Sequence, residues 1–201
     1  MNINDFVFIK DNAFSDEFCD NLVKDFESYD KNNQTIEGQS DRGIDYNTKK
    51  SKDLNIFGHS ELHNKYTVQV AETFNKYLSG EYLTNLPHND KFAANTELFY
   101  GDTYYECLNI QKYEKLSGHY NAWHIETGNF DLSKRLFVFL LYLNDVEKGG
   151  QTEILYSGQK IQPKKGRLVI WPSTFPYVHK GHIPLSDDKY ILTTWLSFRP
   201  M

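Results

Sequence analysis

The chain has 201 residues, of which 39% are hydrophobic and 24% are charged, a composition typical of one globular domain with a buried core. Its 22 Lys and Arg and 27 Asp and Glu residues give a net charge of -5 without a long block of like charge, which argues against nucleic acid as a partner. The longest apolar run, Leu136 to Leu143, is far shorter than the roughly 20 residues of a membrane-spanning helix, so no membrane association is expected.

The N-terminal residues and the cysteines indicate the compartment. The opening MNINDF has neither the basic nor the apolar segment of a secretory signal, and Cys19 and Cys107 are too few for a disulfide framework. Both features favour a cytoplasmic, reducing environment.

The first predicted elements are a short strand and a helix. The strand lies in FVFIK, and after a turn Ser15 is expected to cap a helix whose first turn is acidic. Phe18, Leu22 and Phe26 recur at helical spacing, so they should face a core.

Residues 30–53 are polar and lack apolar periodicity, which predicts a long loop. A loop of this length in a compact domain is a candidate lid over a substrate. A second, amphipathic helix is predicted after His59, with Ser60 as its cap and Gly80 as its end.

Beyond Asn95 the pattern changes from helical to strand-like. Eight β-rich segments are separated by Gly, Pro, Asn and Asp: ECLNIQKYE, YNAWHIE, RLFVFLLYLND, QTEILY, QKIQP, GRLVIWP, YVHKG and KYILTTWLSF. We predict a mostly β fold with flanking helices, in which a double-stranded β-helix, or jelly roll, carries the N-terminal helices on one sheet. Residues 1–201 would form a single domain, with 1–94 as support and 95–201 as the jelly-roll core.

A possible metal site begins with His124 and Glu126. Ligands separated by one residue on a strand project to the same face, and a third ligand must then come from another strand. Two histidines and one carboxylate leave open positions on an iron ion, as non-haem Fe(II) oxygenases require. A His-x-acid pair is also expected by chance in a chain of this composition, and a second pair is present in His59-Ser60-Glu61.

That second pair allows a surface zinc clip, since His63 follows His59 by one helical turn. No third ligand is nearby, and Ser60 and Glu61 suit a helix start, so a solvated helix terminus is the favoured interpretation.

Four sequence blocks follow one another between Gln111 and Phe198: QKYEKLSGHYNAWHIE, RLFVFLLYLNDVEKGGQTEIL, GRLVIWPS and HKGHIPLSDDKYILTTWLSF. In this order they resemble the catalytic jelly roll of the 2-oxoglutarate and Fe(II)-dependent oxygenases, specifically the prolyl 4-hydroxylase-like branch. The N-terminal half resembles that branch only loosely, through its strand and first helix.

The resemblance implies that His124, Glu126 and His179 hold the iron. The carboxylate of the family is usually aspartate, so Glu126 is one methylene longer. A halogenase would be expected to lose this carboxylate to make room for chloride, which argues against that activity. His182 is a rival for the distal position, but the ten-residue step to a basic residue favours His179.

The same resemblance implies that Lys189 and Tyr113 bind the C5 carboxylate of 2-oxoglutarate. Strand alternation puts Lys189 on one face with Ile191, Thr193 and Trp195, and an inward lysine is explained by an anionic ligand. An edge-strand lysine is the alternative interpretation. Tyr113 also suits a strand core, and Trp195 is a candidate to line the pocket.

The implied activity is hydroxylation of an unactivated C–H bond, with a prolyl residue in a peptide or protein as a candidate substrate. The implied cofactors are Fe(II), 2-oxoglutarate and O2, with ascorbate as a reductant that restores oxidised iron. Two alternatives remain open at this point: an oxygenase of a free amino acid or other small molecule, and a non-catalytic jelly-roll binding module.

Overall fold

The computed structural model describes residues 2–40, 43–86 and 102–199. Within these ranges it contains two α-helices, α1 (Asp16–Lys31) and α2 (Ser60–Tyr77), and short helical turns at Ile3–Phe6, Ile56–Gly58, Leu78–Tyr82 and Leu83–Asn85. The described strands are β1 (Phe8–Lys10), β2 (Ile36–Glu37), β3 (Lys49–Lys50), β4 (Lys52–Asn55), β5 (Thr103–Tyr105), β6 (Asn109–Tyr113), β7 (His119–His124), β8 (Arg135–Tyr142), β9 (Thr152–Ile154), β10 (Gln159–Ile161), β11 (Leu168–Pro172), β12 (His179–Gly181) and β13 (Lys189–Phe198).

These strands form two antiparallel sheets. The larger sheet follows the order β1-β11-β8-β13-β6-β4-β2, with β5 paired to β13, and the smaller sheet follows the order β10-β9-β12-β7-β3. Apolar side chains of both sheets, such as Val138, Ile154 and Trp171, pack together, whereas α1 and α2 contribute to a separate core on the other face of the larger sheet. The predicted mostly β fold, with the N-terminal helices on one sheet, is confirmed.

β8 contains most of the longest apolar run. Phe137, Phe139 and Leu141 belong to the core that includes the helices, while Val138 and Leu140 belong to the core between the sheets. Because both faces of this strand are covered, its sequence is continuously apolar instead of alternating.

α1 agrees with the sequence in both its start and its buried face. The Ser15 side chain accepts a hydrogen bond from the backbone N–H of Phe18, which satisfies one of the free donors at the helix start. Phe18, Leu22 and Phe26 are buried as predicted.

α2 begins directly after His59, as predicted, but the predicted cap and the predicted end are wrong. His59 occupies the cap position without a side-chain hydrogen bond, and the chain enters the helix from the turn at Ile56–Gly58 instead of through a Ser60 cap. Gly80 does not end the helical segment, because the chain continues through a π-helical turn at Leu78–Tyr82. Burial of Leu78 and Tyr82 favours this continuation despite the glycine.

The predicted loop at residues 30–53 is interrupted by short strands, so that expectation is only partly correct. β4 pairs with β6 and β2 pairs with β4 in the larger sheet, while β3 pairs with β7 in the smaller one. Lys49 and Ser51 are buried, and Lys49 forms an ion pair with Asp53 at 2.7 Å. Polar side chains that satisfy one another can occupy such strands without an apolar pattern.

Other sequence expectations concern the cysteines, the membrane and the start of the strand region. Cys19 and Cys107 are both free. None of the described helices has the length and apolar character needed to cross a membrane. The predicted change from helix to strand at residues 94–95 lies outside the described residues.

The contact between α2 and the larger sheet should contribute strongly to stability. Phe74 is fully buried and stacks on Phe139 with ring centroids 4.7 Å apart. We expect Phe74→Ala to lower the free energy of unfolding by about 3–5 kcal/mol. Val68→Ala is the matched control, since Val68 lies on the same helix but is 65% exposed, and it should change that energy by less than about 0.5 kcal/mol. Equal losses in urea denaturation would contradict this packing.

Candidate metal centre and adjoining cavity

The two candidate histidines are brought together by strand pairing. His124 ends β7 and His179 begins β12, and the two are direct partners in the antiparallel ladder. Glu126 lies just beyond the end of β7, where its backbone N–H donates to the carbonyl of Ser173 at 3.0 Å. The carboxylate is therefore placed by this loop contact and not by strand alternation alone.

Glu126 lies between the two imidazoles. Its Oε1 is 3.1 Å from Nε2 of His179 and 3.6 Å from Nε2 of His124. One potential ligand atom from each of these three residues lies within 4.8 Å of the others. Across the described parts of the chain, no second cluster of three His, Cys, Asp or Glu residues has this geometry.

The backbone fixes the tautomer of both histidines. Nδ1 of His124 lies 2.9 Å from the carbonyl oxygen of Ala122, and Nδ1 of His179 lies 2.9 Å from that of Tyr177. A carbonyl only accepts hydrogen bonds, so each Nδ1 must carry the proton. Nε2 of each ring is thereby left as the atom that faces Glu126 and that a metal ion would take, the arrangement that metal-binding histidines use.

The charges at this cluster suit a cation. Burial alone would raise the pKa of Glu126, but its hydrogen bonds with His124 and His179 hold that pKa well below its usual range. Burial and the neighbouring His124 lower the pKa of His179. The ionised carboxylate and the two Nε2 atoms are the ligand atoms that a metal ion would take, and metal binding would release the protons that these imidazoles share with Glu126.

Lys189 lines the same cavity as these three residues. It is only 2% exposed, and its Nζ donates to the carbonyl of Gly150 at 3.2 Å and lies 4.5 Å from the ring centre of Tyr113. No carboxylate among the described residues forms an ion pair with it, and burial lowers its pKa to about 7. β13 lies between β8 and β6, so Lys189 is not an edge-strand lysine.

Side chains near Lys189 complete a polar cavity wall. Tyr113 is its direct partner across β6 and β13, and the phenol donates to Oε1 of Gln111 at 2.7 Å. Thr193 and Trp195 line the same cavity, as the alternation predicts. Within the described ranges, the buried Oγ1 of Thr193 and Nε1 of Trp195 have no hydrogen-bond partner.

The other histidines lie elsewhere. His182 contacts Glu153 at 2.6 Å and does not line the cavity, and His119 bonds to the carbonyl of Ser117. His59 packs against Tyr29, and Nδ1 of His63 lies 3.1 Å from the hydroxyl of Thr67. Neither His182 nor the pair of His59 and His63 joins a described metal cluster.

The cavity has a volume of about 790 Å³, within the usual range for small-molecule sites. Trp123, Ile36 and Phe175 contribute to its lining although each is substantially exposed, so apolar groups surround its opening. Trp171 also lines the cavity, but it is buried and packs edge-on against His179.

Sequence reasoning missed Arg135, which lines the cavity at the start of β8. Its guanidinium contacts Glu126 and Glu106 and lies 3.7 Å from the ring centre of Trp195. The sequence did contain a signal for it. Arg135 is a charged residue at the first position of a strand that is buried on both faces, and a charge in such a place needs partners.

Comparison with known proteins agrees with this geometry. Residues 108–197 match the sequence model of the 2OG-Fe(II) oxygenase superfamily, where 2OG denotes 2-oxoglutarate. The match contains all three residues of the metal cluster as well as Lys189.

Two curated relatives are plant prolyl 4-hydroxylases. The chain is 26% identical to prolyl 4-hydroxylase 13 of Arabidopsis thaliana over 158 residues, or 64% of this chain and 58% of that protein. It is 30% identical to the probable prolyl 4-hydroxylase 9 of the same plant over 117 residues, or 45% of this chain and 40% of the relative. The matches thus span less than two thirds of either relative.

Solved structures share the fold. A prolyl hydroxylase of Trichoplax adhaerens, in complex with a hypoxia inducible factor peptide fragment, has a TM-score of 0.74 at 19% identity, covering 98% of this chain and 88% of that one. A Pseudomonas putida prolyl-4-hydroxylase has a TM-score of 0.70 at 18% identity, with coverage of 98% and 97%. Residues 108–197 are therefore similar in sequence to the 2OG-Fe(II) oxygenase superfamily, and the chain is prolyl 4-hydroxylase-like in sequence and in fold.

Proposed function

We propose that this protein is an Fe(II)- and 2-oxoglutarate-dependent dioxygenase that hydroxylates a prolyl residue in a peptide or protein. One observation carries the proposal: the cluster of His124, Glu126 and His179 shares a cavity with Lys189, a buried cation that no described carboxylate pairs with. A site for a metal ion and a site for an anion thus lie together, as these two cofactors require.

The donor set fits Fe(II). Two imidazole nitrogens and one carboxylate oxygen occupy one side of an ion and leave the other side for small ligands. The backbone acceptors of His124 and His179 hold both rings in the ligating tautomer, so little reorganisation is needed when a metal binds.

The wall around Lys189 fits 2-oxoglutarate. A buried ammonium whose described hydrogen bond goes to a backbone carbonyl is costly, and a carboxylate would give it a charge-assisted partner. The unpaired hydroxyl of Thr193 offers a further donor on the same wall, and the phenol of Tyr113 would offer another by exchanging its bond to Gln111 for one to the ligand. We assign the C5 carboxylate of 2-oxoglutarate to Lys189, with Tyr113 and Trp195 as neighbouring binding residues.

Bound iron and 2-oxoglutarate, together with O2, would supply the oxidising chemistry: one oxygen atom of O2 enters succinate as CO2 is released, and the other hydroxylates a substrate C–H bond. The chain's own residues bind, orient and exclude water. Val138, Leu140 and Ile191 form the apolar part of the lining, which keeps the reaction away from bulk solvent. Ascorbate belongs to the proposal only as a reductant that restores oxidised iron.

The opening of the cavity supports a polypeptide substrate. Trp123, Ile36 and Phe175 expose apolar surface around it, which suits the side chains of an extended peptide. Relatives in sequence and fold are prolyl hydroxylases, one of them in complex with a peptide fragment. A free amino acid as substrate is the second candidate, and oxidation of proline-rich peptides by one oxygen atom, measured by mass spectrometry, would distinguish the two.

A non-catalytic binding module would have no use for a buried, unpaired lysine beside a metal-type cluster. Such a module would contain no stoichiometric iron and would show no thermal shift with 2-oxoglutarate. Retention of Glu126 at the cluster likewise argues against a halogenase, which would need that position for chloride.

The proposed metal ligands can be tested with a matched pair of histidines. We expect His179→Ala to lose stoichiometric iron and nearly all succinate formation when the Fe(II)-loaded protein is exposed to O2 with 2-oxoglutarate. His182→Ala is the control, because His182 is three residues away and pairs with Glu153 outside the cavity. Iron content and succinate formation are measured for both variants. If His182→Ala lost iron and succinate formation while His179→Ala retained them, the assignment of His179 as a metal ligand would be refuted.

The proposed carboxylate partner predicts separate effects on binding and stability. Lys189→Met should weaken 2-oxoglutarate binding roughly 100-fold, or about 2.7 kcal/mol, because an ionic hydrogen bond is lost. The ligand-free variant should melt at the same or a higher temperature, since an unpaired buried charge is removed. Tyr113→Phe, which removes a neutral donor, should weaken binding only about fivefold. Titration calorimetry with the metal-loaded proteins measures the two affinities, and scanning calorimetry without ligand measures the melting temperature. Unchanged 2-oxoglutarate affinity in Lys189→Met would refute the proposed role of Lys189.

The same lysine predicts a pH dependence. In the free protein burial lowers its pKa to about 7 from an ordinary 10.5, so above pH 7 it is mostly neutral and must take up a proton when it pairs with a carboxylate. The Kd of 2-oxoglutarate should then rise with pH above 7, by up to about tenfold per pH unit. Calorimetry at pH 8.5 in two buffers of different ionisation enthalpy should show uptake of nearly one proton, and Lys189→Met should abolish it.

The stability of the ligand-free protein should change with pH in the opposite sense. Between pH 7 and 10.5 the unfolded chain holds a proton on Lys189 that the folded chain releases. This group therefore destabilises the fold most below pH 7, and its cost declines as the pH rises toward 10.5.

A further inference from the structure

Arg135 is a charged side chain of the cavity that contacts several other groups at once. It stands at the start of β8, and its side chain is 11% exposed. The guanidinium contacts two carboxylates, one backbone carbonyl and one aromatic ring. A planar fork of donors can serve several acceptors at once in fixed directions, which a lysine ammonium cannot do.

One nitrogen of Arg135 holds Glu126 at two points. Nη1 lies 3.3 Å from the backbone oxygen of Glu126 and 3.4 Å from its Oε2. The backbone N–H of Glu126 is bonded to the carbonyl of Ser173 on the other side. Both sides of the residue's backbone and one of its two carboxylate oxygens are therefore anchored.

The other oxygen remains directed at the histidines. Oε1 is the atom 3.1 Å from Nε2 of His179 and 3.6 Å from that of His124. A glutamate has one more side-chain torsion than an aspartate, so it needs an added contact to hold a single orientation. Arg135 supplies that contact at Oε2 without occupying Oε1.

Glu106 orients the arginine and balances its charge. Nε of Arg135 lies 3.1 Å from both oxygens of Glu106, and Nη2 lies 2.7 Å from Oε2, a bidentate pair. The hydroxyl of Ser197 donates to Oε1 of Glu106 at 2.6 Å, which fixes the acid in turn. A bare cation next to a divalent metal would repel it, whereas the pair of Arg135 and Glu106 is neutral.

Trp195 fixes the remaining freedom of the guanidinium. The Arg135 guanidinium carbon lies 3.7 Å from the centre of the indole ring, a stacked cation–π contact. Trp195 thus affects the cluster through Arg135 as well as lining the cavity.

We propose that Arg135, held by Glu106 and Trp195, is a positioning residue that fixes Oε2 of Glu126 and presents Oε1 alone to the metal ion. This inference rests on the proposed metal site. It implies that Glu126 can replace the usual aspartate because Arg135 fixes its longer side chain. An aspartate at this position would not depend on Arg135.

The experiment measures metal affinity without turnover. Co(II) is titrated into the metal-free protein, and its visible absorption reports both the affinity and the geometry of the ligand set. Arg135→Lys keeps the positive charge but loses the fork, so we expect Co(II) affinity to fall by about 10- to 100-fold. The same substitution in a Glu126→Asp background should change affinity by less than about threefold, because the shorter side chain lacks the contact with Arg135.

Glu106→Gln provides a second route to the same result. It weakens the hold on Arg135 without touching Glu126, and its effect on Co(II) affinity should likewise shrink in the Glu126→Asp background. Thermal unfolding of each metal-free variant checks that the fold is kept. If either variant unfolds, the other completes the comparison.

The outcomes separate the two proposals. Wild-type protein that binds no Co(II) or Fe(II) in a one-to-one ratio would refute the metal site itself. Tight wild-type binding with no loss in Arg135→Lys, or with equal losses in both backgrounds, would refute only the positioning role.

Discussion

The antiparallel pairing of β12 with β7 is the constraint on which the candidate site depends. It places His179 directly opposite His124, so two residues that are 55 positions apart in sequence share one point of the smaller sheet. Side chains alternate between the faces of a strand, and a slip of one residue in this pairing would turn one imidazole away from the other. The chain fixes the register on both flanks, because β9 pairs with β12 and β3 pairs with β7.

Around this pairing, the cavity contains charges that the protein leaves incompletely balanced. Glu126 is held ionised by its contacts with His124 and His179, whereas Lys189 is buried where no described carboxylate pairs with it. The arrangement of Lys189 costs folding free energy in the ligand-free protein, since a buried charge without a full set of partners is poorly solvated. Unfavourable electrostatics of this kind are typical of functional sites, where a ligand supplies the missing partner.

The strand region could be predicted well because its apolar and polar residues follow a pattern within each short segment of sequence. All eight predicted β-rich segments contain strands, and the inward face of β13 follows from simple alternation. The segment at residues 30–53 could not be predicted, because its short strands are stabilised by polar contacts such as that of Lys49 with Asp53 and by pairing to distant strands. Sequence periodicity indicates a strand only when the strand buries an apolar face, and these short strands have no such face.

The candidate site shows the same division. His124, Glu126, His179 and Lys189 could be named from motifs, and the structure places all four in one cavity. Arg135 was not named, because its contacts with Glu106 and Trp195 join distant parts of the chain. A motif identifies the atoms that meet a ligand, whereas the side chains that hold those atoms in place depend on tertiary packing.

The strands between residues 36 and 55 join the two halves of the chain. β2 and β4 extend the larger sheet beside β6, and β3 extends the smaller sheet beside β7. A fragment beginning at residue 95 would expose the hydrogen-bonding edges of both β6 and β7, together with the apolar face that α1 and α2 cover. Open edges beside uncovered apolar surface promote aggregation. We therefore expect the segment that matches the superfamily to be a unit of sequence similarity but not a unit of folding, because strands outside it close both of its sheets.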